Sequence, residues 1–245
     1  MTHPFELRKE IVLRATAEQV WEAVATGPGL DSWFMGRNEI EPGEGKTRHF
    51  FGDIPAESTI TAWEPGKRFA FRSGEGEDGT FMAFEYVVEG RDKGSTVLRL
   101  VQSGVLGDGW EAELDALNKG WDMYLHTLDQ YLTHFPGQFA LVVFGARPSE
   151  AGEPAWKVLQ RGLGIESEVV QGDRVRLTPE GFEPIEGIAD YVAPGFLGVR
   201  TGDGLYRFIK GMHETVVIGH HIFTDEADPK ETEQAWQSWL AKLFA

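Results

Sequence analysis

Aromatic side chains dominate the residues of this chain whose placement could build a site: eight Trp, sixteen Phe and five Tyr in 245 residues. Trp33, Phe34, Phe69, Phe71, Phe84, Tyr86, Trp110, Trp121 and Tyr124, together with Leu117, fall on segments of alternating or helical apolar period. Large flat side chains on facing surfaces pack as core, but across a concave surface they also leave gaps suited to an apolar ligand. Seven histidines raise the question of a metal. His220 and His221 are adjacent, so on a strand they point to opposite faces, and His213 has no carboxylate at zinc-ligand spacing. No metal site is expected. Ser103-Gly104 lacks the context of a nucleophile elbow, and no catalytic residue is assignable. The loop over residues 74–79 is glycine-rich but acidic, unlike a phosphate cradle, and reads as a hairpin loop. Asp122 and His126 stand one helical turn apart and read as a solvated pair. Arg48, His49, Glu85 and Arg99 lie on central strands, and an outward, solvated side chain is the expectation for each.

Composition narrows the function classes. There are 39 acidic against 23 basic residues, a formal net charge of −16, and no cysteine. The charge repels phosphate backbones, so neither nucleic acid nor an anionic membrane is an expected partner. Without cysteine there are no disulfides, thiolate metal sites or cysteine nucleophiles. No stretch approaches the roughly 20 apolar residues of a membrane span, and the N-terminus lacks the pattern of an export signal. A cytoplasmic protein without metal or organic cofactor is the expectation, and a homodimer is left open.

The elements that must position these residues follow from periodicity. Phe5, Leu7, Ile11 and Leu13 alternate with charged residues as a half-buried strand. Thr16 and Gln19 form a capping box for a short helix carrying Val20, Trp21 and Val24, which Gly27-Pro28-Gly29 would stop. Strands are expected around 46–51, 58–63, 68–72, 80–88 and 96–102, separated by Gly and Pro turns into an antiparallel meander. Then the period changes. Trp110, Leu114, Leu117, Trp121, Leu125, Leu128, Leu132 and Phe135 recur at intervals of three and four, one apolar stripe on a helix of about 26 residues and roughly 39 Å. A helix of that length must lie across the concave face of the sheet. After Pro136-Gly137 the order strand, helix, strands, helix begins again: a strand with Leu141 and Val143, a helix over 148–162, strands around 205–210 and 215–223, and a closing helix with Asp228 at N-cap, Pro229 at N1 and Glu231 at N3. The chain thus reads as two units, 1–135 and 136–245, the second a diverged copy.

Several short runs now stand together: Thr16-Ala17-Glu18-Gln19-Val20-Trp21-Glu22-Ala23-Val24, Leu30-Asp31-Ser32-Trp33-Phe34, Trp63-Glu64-Pro65-Gly66-Lys67-Arg68-Phe69-Ala70-Phe71, Gln102-Ser103-Gly104, and Asn118-Lys119-Gly120-Trp121 with Leu125, Leu128 and Leu132. This series resembles the START-like (SRPBCC) helix-grip superfamily, and within it the family named after the C-terminal domain of the activator of the heat-shock-protein-90 ATPase. It spans about residues 5–134; residues 137–245 resemble it weakly. The resemblance implies an α+β fold in which an antiparallel sheet wraps around a long C-terminal helix, with a diverged helix-grip-like unit following. It also implies an apolar cavity between sheet and helix for a small hydrophobic molecule. Three functions are then open: a binding protein for such a molecule, an aromatase/cyclase-like enzyme acting on a polyketide-type substrate, and a chaperone ATPase-activator-like interaction module. The first is favoured. The chain opens at the first strand of the helix-grip unit, so the chaperone-contacting domain of the eponymous co-chaperone is not expected. The ligand site is expected in the first unit, because the closing helix of the second has only about 15 residues, roughly 24 Å, and its strands offer small inward candidates: Val199, Gly198 and Ile218.

Overall fold

Alternating apolar residues zip two antiparallel sheets, each belonging to its own compact unit, Met1–Phe139 and Ala140–Ala245. The structure, a computed structural model, describes residues 2–43, 45–51, 54–149, 153–224 and 227–244. In the first unit β1 (His3–Leu13) leads to α1 (Ala17–Ala25) and α2 (Gly27–Asp31). Six strands follow: β2 (Arg37–Ile40), β3 (Lys46–Phe51), β4 (Ile54–Glu64), β5 (Arg68–Ser73), β6 (Phe81–Arg91) and β7 (Ser95–Leu106). α3 (Trp110–His134) closes the unit. The strands form one sheet in the order β1-β7-β6-β5-β4-β3-β2, so the first strand pairs with the last and the meander runs back from there. This is the expected α+β helix-grip arrangement, with α3 packed back on β1 across the sheet.

Local chemistry explains the ends of these elements. Thr16 Oγ1 accepts from Gln19 N at 3.2 Å while Gln19 Oε1 accepts from Thr16 N at 2.9 Å, the capping box read from the sequence. Gly27-Pro28-Gly29 does not merely stop a helix: it is the first turn of α2. Thr26 Oγ1 donates to Glu22 O and accepts from Gly29 N, closing one helix and capping the next. Proline fits there because the first-turn N–H has no intrahelical partner anyway. Gly29 is required by proximity, since a Cβ would stand 2.0 Å from Glu22 O. The strand β2 is a further element without an advance signal, being four residues long and mixed in polarity.

In the second unit β8 (Leu141–Pro148) and α4 (Ala155–Gly162) precede β9 (Arg174–Leu177), β10 (Ile185–Ala193), β11 (Phe196–Arg200), β12 (Gly204–Lys210) and β13 (Thr215–Ile222), and α5 (Pro229–Leu243) closes it. The sheet order is β8-β13-β12-β11-β10-β9, again first strand beside last, with one strand fewer. The helix expected over 148–162 covers only its second half; residues 150–152 lie outside the described residues. Val199, Ile218, Trp236, Trp239 and Leu240 share the core beneath α5. Gly198 does not join them. It lies on the opposite face, where a Cβ would stand 2.8 Å from Arg207 Nη1 and 3.1 Å from Asp190 Oδ1. A bulge between Ala189 and Tyr191 turns Asp190 towards that face. There Arg207 Nη1 and Nη2 donate to its two carboxylate oxygens at 3.0 and 2.8 Å, with both side chains buried.

Among the described residues no helix is long and apolar enough to cross a membrane.

Candidate functional site

The register of the first sheet arranges its inner face in rows. One row runs Ile60, Phe71, Phe84, Gln102, Leu7 across β4, β5, β6, β7 and β1. The next runs Trp63, Phe69, Tyr86, Leu100, Lys9. On the other side lies a polar row, Thr47, Ser58, Ser73, then Met82 and Gly104. His49 follows Thr47 on the same face of β3, because alternate residues share a face.

The helical elements lay further rings on this face. Phe34, just past α2, stacks on Trp121 of α3 with centroids 5.4 Å apart, and meets Tyr124 at 4.9 Å. Phe84 stacks on Phe71 at 4.9 Å and meets Trp121 at 6.3 Å. His49 lies between Phe34 at 6.4 Å and Phe71 at 5.3 Å. Phe69 and Tyr86 continue the layer deeper, 6.2 Å apart and buried. The structure therefore brings together seven of the ten residues picked from the sequence: Phe34, Phe69, Phe71, Phe84, Tyr86, Trp121 and Tyr124. Trp33 touches the cluster through Phe34, but its indole N–H donates to Ala23 O at 2.9 Å and its ring is fully buried, an anchor for α1. Trp110 sits at the other end of α3 and stacks on His3 at 4.9 Å. Leu117 is half-buried on the N-terminal half of α3.

Polar groups are built into this apolar layer. Trp121 Nε1 donates to Gln102 Oε1 at 2.6 Å, and Gln102 Nε2 reaches Met82 Sδ at 3.5 Å. Asp31 Oδ1 accepts from both the backbone N and Nδ2 of Asn38, at 2.7 and 2.9 Å. That fixes the Asn38 amide with its oxygen towards His49, whose Nδ1 lies 2.5 Å away. An amide oxygen only accepts, so His49 carries its proton on Nδ1 and leaves the lone pair on Nε2. That Nε2 atom is buried and has no hydrogen-bond partner among the described residues, and neither has Thr47 Oγ1. A buried acceptor left without a partner costs about 1–3 kcal/mol. Burial lowers the His49 pKa to about 4 and raises that of Asp31 to about 6, so the imidazole is neutral near neutrality.

His49 is the residue for which the sequence pattern was misleading. Of the four strand residues expected to point outwards, Arg48, Glu85 and Arg99 do so. Arg48 pairs with Glu39, Glu41 and Glu57, Arg68 with Glu85, and Arg99 with Glu10 and Glu89, all on the outer face. His49 turns inwards. Its only signal was parity with Thr47 on a short strand. Asp122 also departs from expectation, since its carboxylate binds Lys9 Nζ at 2.5 Å and not His126.

Two open recesses lie beside the layer. Past Ser73 and Met82, an open recess of about 520 Å3 is lined by Gly74, Asp78, Thr80 and Phe81 of the β5–β6 hairpin, by Leu106 at the end of β7 and by Glu113 in the first turn of α3. That volume lies within the roughly 300–1,000 Å3 of small-molecule sites. A second recess of about 510 Å3, at the opposite end of β5 and β6, is lined by Glu64, Lys67, Arg68 and Glu89, and neither lining contains a ring of the cluster. The first adjoins the layer through Met82, whose Sδ lies 3.5 Å from Nε2 of Gln102, which in turn accepts from Trp121. No group of three or more potential metal ligands occurs among the described residues.

Among solved structures, a protein from Mesorhizobium loti is 18% identical with a TM-score of 0.45, covering 54% of this chain and 98% of its own. The Aha1 dimer from Colwellia psychrerythraea is 19% identical with a TM-score of 0.43, covering 52% and 96%. The di-domain ARO/CYC BexL is 14% identical with a TM-score of 0.45, covering 97% and 94%. No curated protein sequence matches the chain. Residues 14–133 match the family described as Activator of Hsp90 ATPase homolog 1-like protein, from the end of β1 to the last turn of α3. The first unit of this chain belongs to that family and, with it, to the START-like helix-grip superfamily.

Proposed function

We propose that the first unit binds a small hydrophobic, ring-containing molecule between its sheet and α3. The observation that carries this reading is the layer of stacked rings, Phe34, Phe71, Phe84, Trp121 and Tyr124, with an open recess beside it at Met82. Such rings offer a planar guest both area and favourable offset or edge-on contacts. The helix also supports it. The half of α3 from Trp121 onwards is buried, whereas Trp110, Leu114 and Leu117 near the recess are only half-buried and can part from the sheet with less loss.

The test is a titration with naphthalene, followed by quenching of tryptophan fluorescence. Saturable binding is expected, weakened about tenfold or more when Met82→Trp narrows the recess. A wild-type protein that shows no saturable binding, or a Met82→Trp variant that binds as well as wild type, would overturn the proposal. Native mass spectrometry of freshly purified protein adds the identity of any retained molecule.

A further inference from the structure

The site as built is not purely apolar, and one buried acceptor among its rings has no partner. We infer that the guest carries a hydroxyl on its ring system, a phenol or enol, which donates its proton to His49 Nε2; this rests on the binding site proposed above. Three observations lead there. The Asp31–Asn38–His49 series holds the imidazole in the tautomer whose inner nitrogen can only accept. That nitrogen is buried without a partner among the rings of Phe34 and Phe71. A hydroxyl row, Thr47, Ser58 and Ser73, runs beside it to the recess, and Thr47 Oγ1 is likewise buried without a partner.

The same arrangement selects against other guests. A carboxylate would have to bury its charge beside a lone pair, while Arg48, Arg68 and Arg99 hold their charges on the outer face against glutamates. An unsubstituted hydrocarbon would leave Nε2 as it is. A hydroxyl both satisfies the acceptor and keeps the guest neutral. Asn38 is in this account a positioning residue, and His49 the contact. The depressed pKa of the imidazole agrees, since it leaves the lone pair available near neutrality.

Three probes of one shape separate this inference from the proposal beneath it: naphthalene, 1-naphthol and 1-naphthoate. Wild-type protein is expected to bind 1-naphthol about tenfold tighter than naphthalene, the worth of satisfying one buried acceptor, and 1-naphthoate most weakly. His49→Phe should equalise naphthol and naphthalene without abolishing either. Imidazole nitrogen resonances of the wild-type protein give a second reading that needs no variant. Nε2 of His49 should resonate as an unprotonated nitrogen in the free protein and shift on adding naphthol, but not naphthalene. If naphthalene and naphthol bind wild type equally, or if Nε2 proves protonated, the hydroxyl inference fails while the binding site stands. If none of the three binds, both fail.

Discussion

A buried polar atom with a single possible role is the most informative unit of this protein. Burial shifts His49 and Asp31 in opposite directions. Burial depresses the His49 pKa to about 4, so the stability it leaves intact above the ordinary histidine value is lost as pH falls from 6.5 towards 4. Burial raises the Asp31 pKa to about 6, although Asn38 pulls it down; its contribution is present below 3.8 and lost as pH rises through 6. Between those limits the two effects oppose. His49→Phe should therefore gain relative to wild type on acidification, by about 2 kcal/mol between pH 7 and about pH 4.5. Urea melts at both pH values check this; equal differences at both would show that the histidine titrates normally. A second residue-scale prediction concerns Gln102→Leu, which strands the Trp121 indole N–H in the layer and should cost about 1–3 kcal/mol in the same assay. Adding Trp121→Phe should lower that penalty, since no donor is then left unmatched.

At the scale of elements, two features tie chemistry to placement. The close crossing of α1 and α2 brings Phe34 over the sheet. Gly29→Ala would put a Cβ 2.0 Å from Glu22 O and should cost about 1–3 kcal/mol through overpacking, while disturbing the Phe34–Trp121 stack. A loss of stability with unchanged near-ultraviolet dichroism would separate those effects and count against the link. In the second unit the bulge in β10 delivers Asp190 to Arg207, and Gly198 leaves room for both. Asp190→Ala leaves a buried guanidinium uncompensated and should cost about 3–5 kcal/mol, whereas pairing it with Arg207→Met should recover most of that. Thermal unfolding of the two variants decides between this and a pair of no energetic weight.

At the scale of the whole molecule, the excess of carboxylates sets solution behaviour. With 39 acidic and 23 basic residues, self-repulsion outweighs exposed ion pairs that are each worth about 0–1 kcal/mol. Raising salt from about 0.05 to about 0.5 M should then raise the melting temperature by a few degrees, as the screening length falls below roughly 5 Å. A lowered melting temperature would show that the glutamate–arginine lattice on the outer face of the first sheet, such as Glu89–Arg99–Glu10, matters more than the net charge.

Local pattern by itself determined the long helix, the helix caps and most strands, because these obey periods of two or 3.6 residues and rules of nearest neighbours. The caps at Thr16 and Asp228 and the stripe from Trp110 to Leu132 follow directly from side-chain spacing. Short or mixed elements, α2, β2 and β9, carried too few periods to be read. The ring layer was legible as a set of residues but not as an arrangement: strand register decided that Phe71 and Phe84 face one another, and the span of α3 decided that Trp110 lies far from Trp121. The inward turn of His49 was decided by tertiary structure alone. One residue's parity on a six-residue strand has meaning only once β3 is paired with β4 and Asp31 and Asn38 have been brought, from different elements, to hold the imidazole.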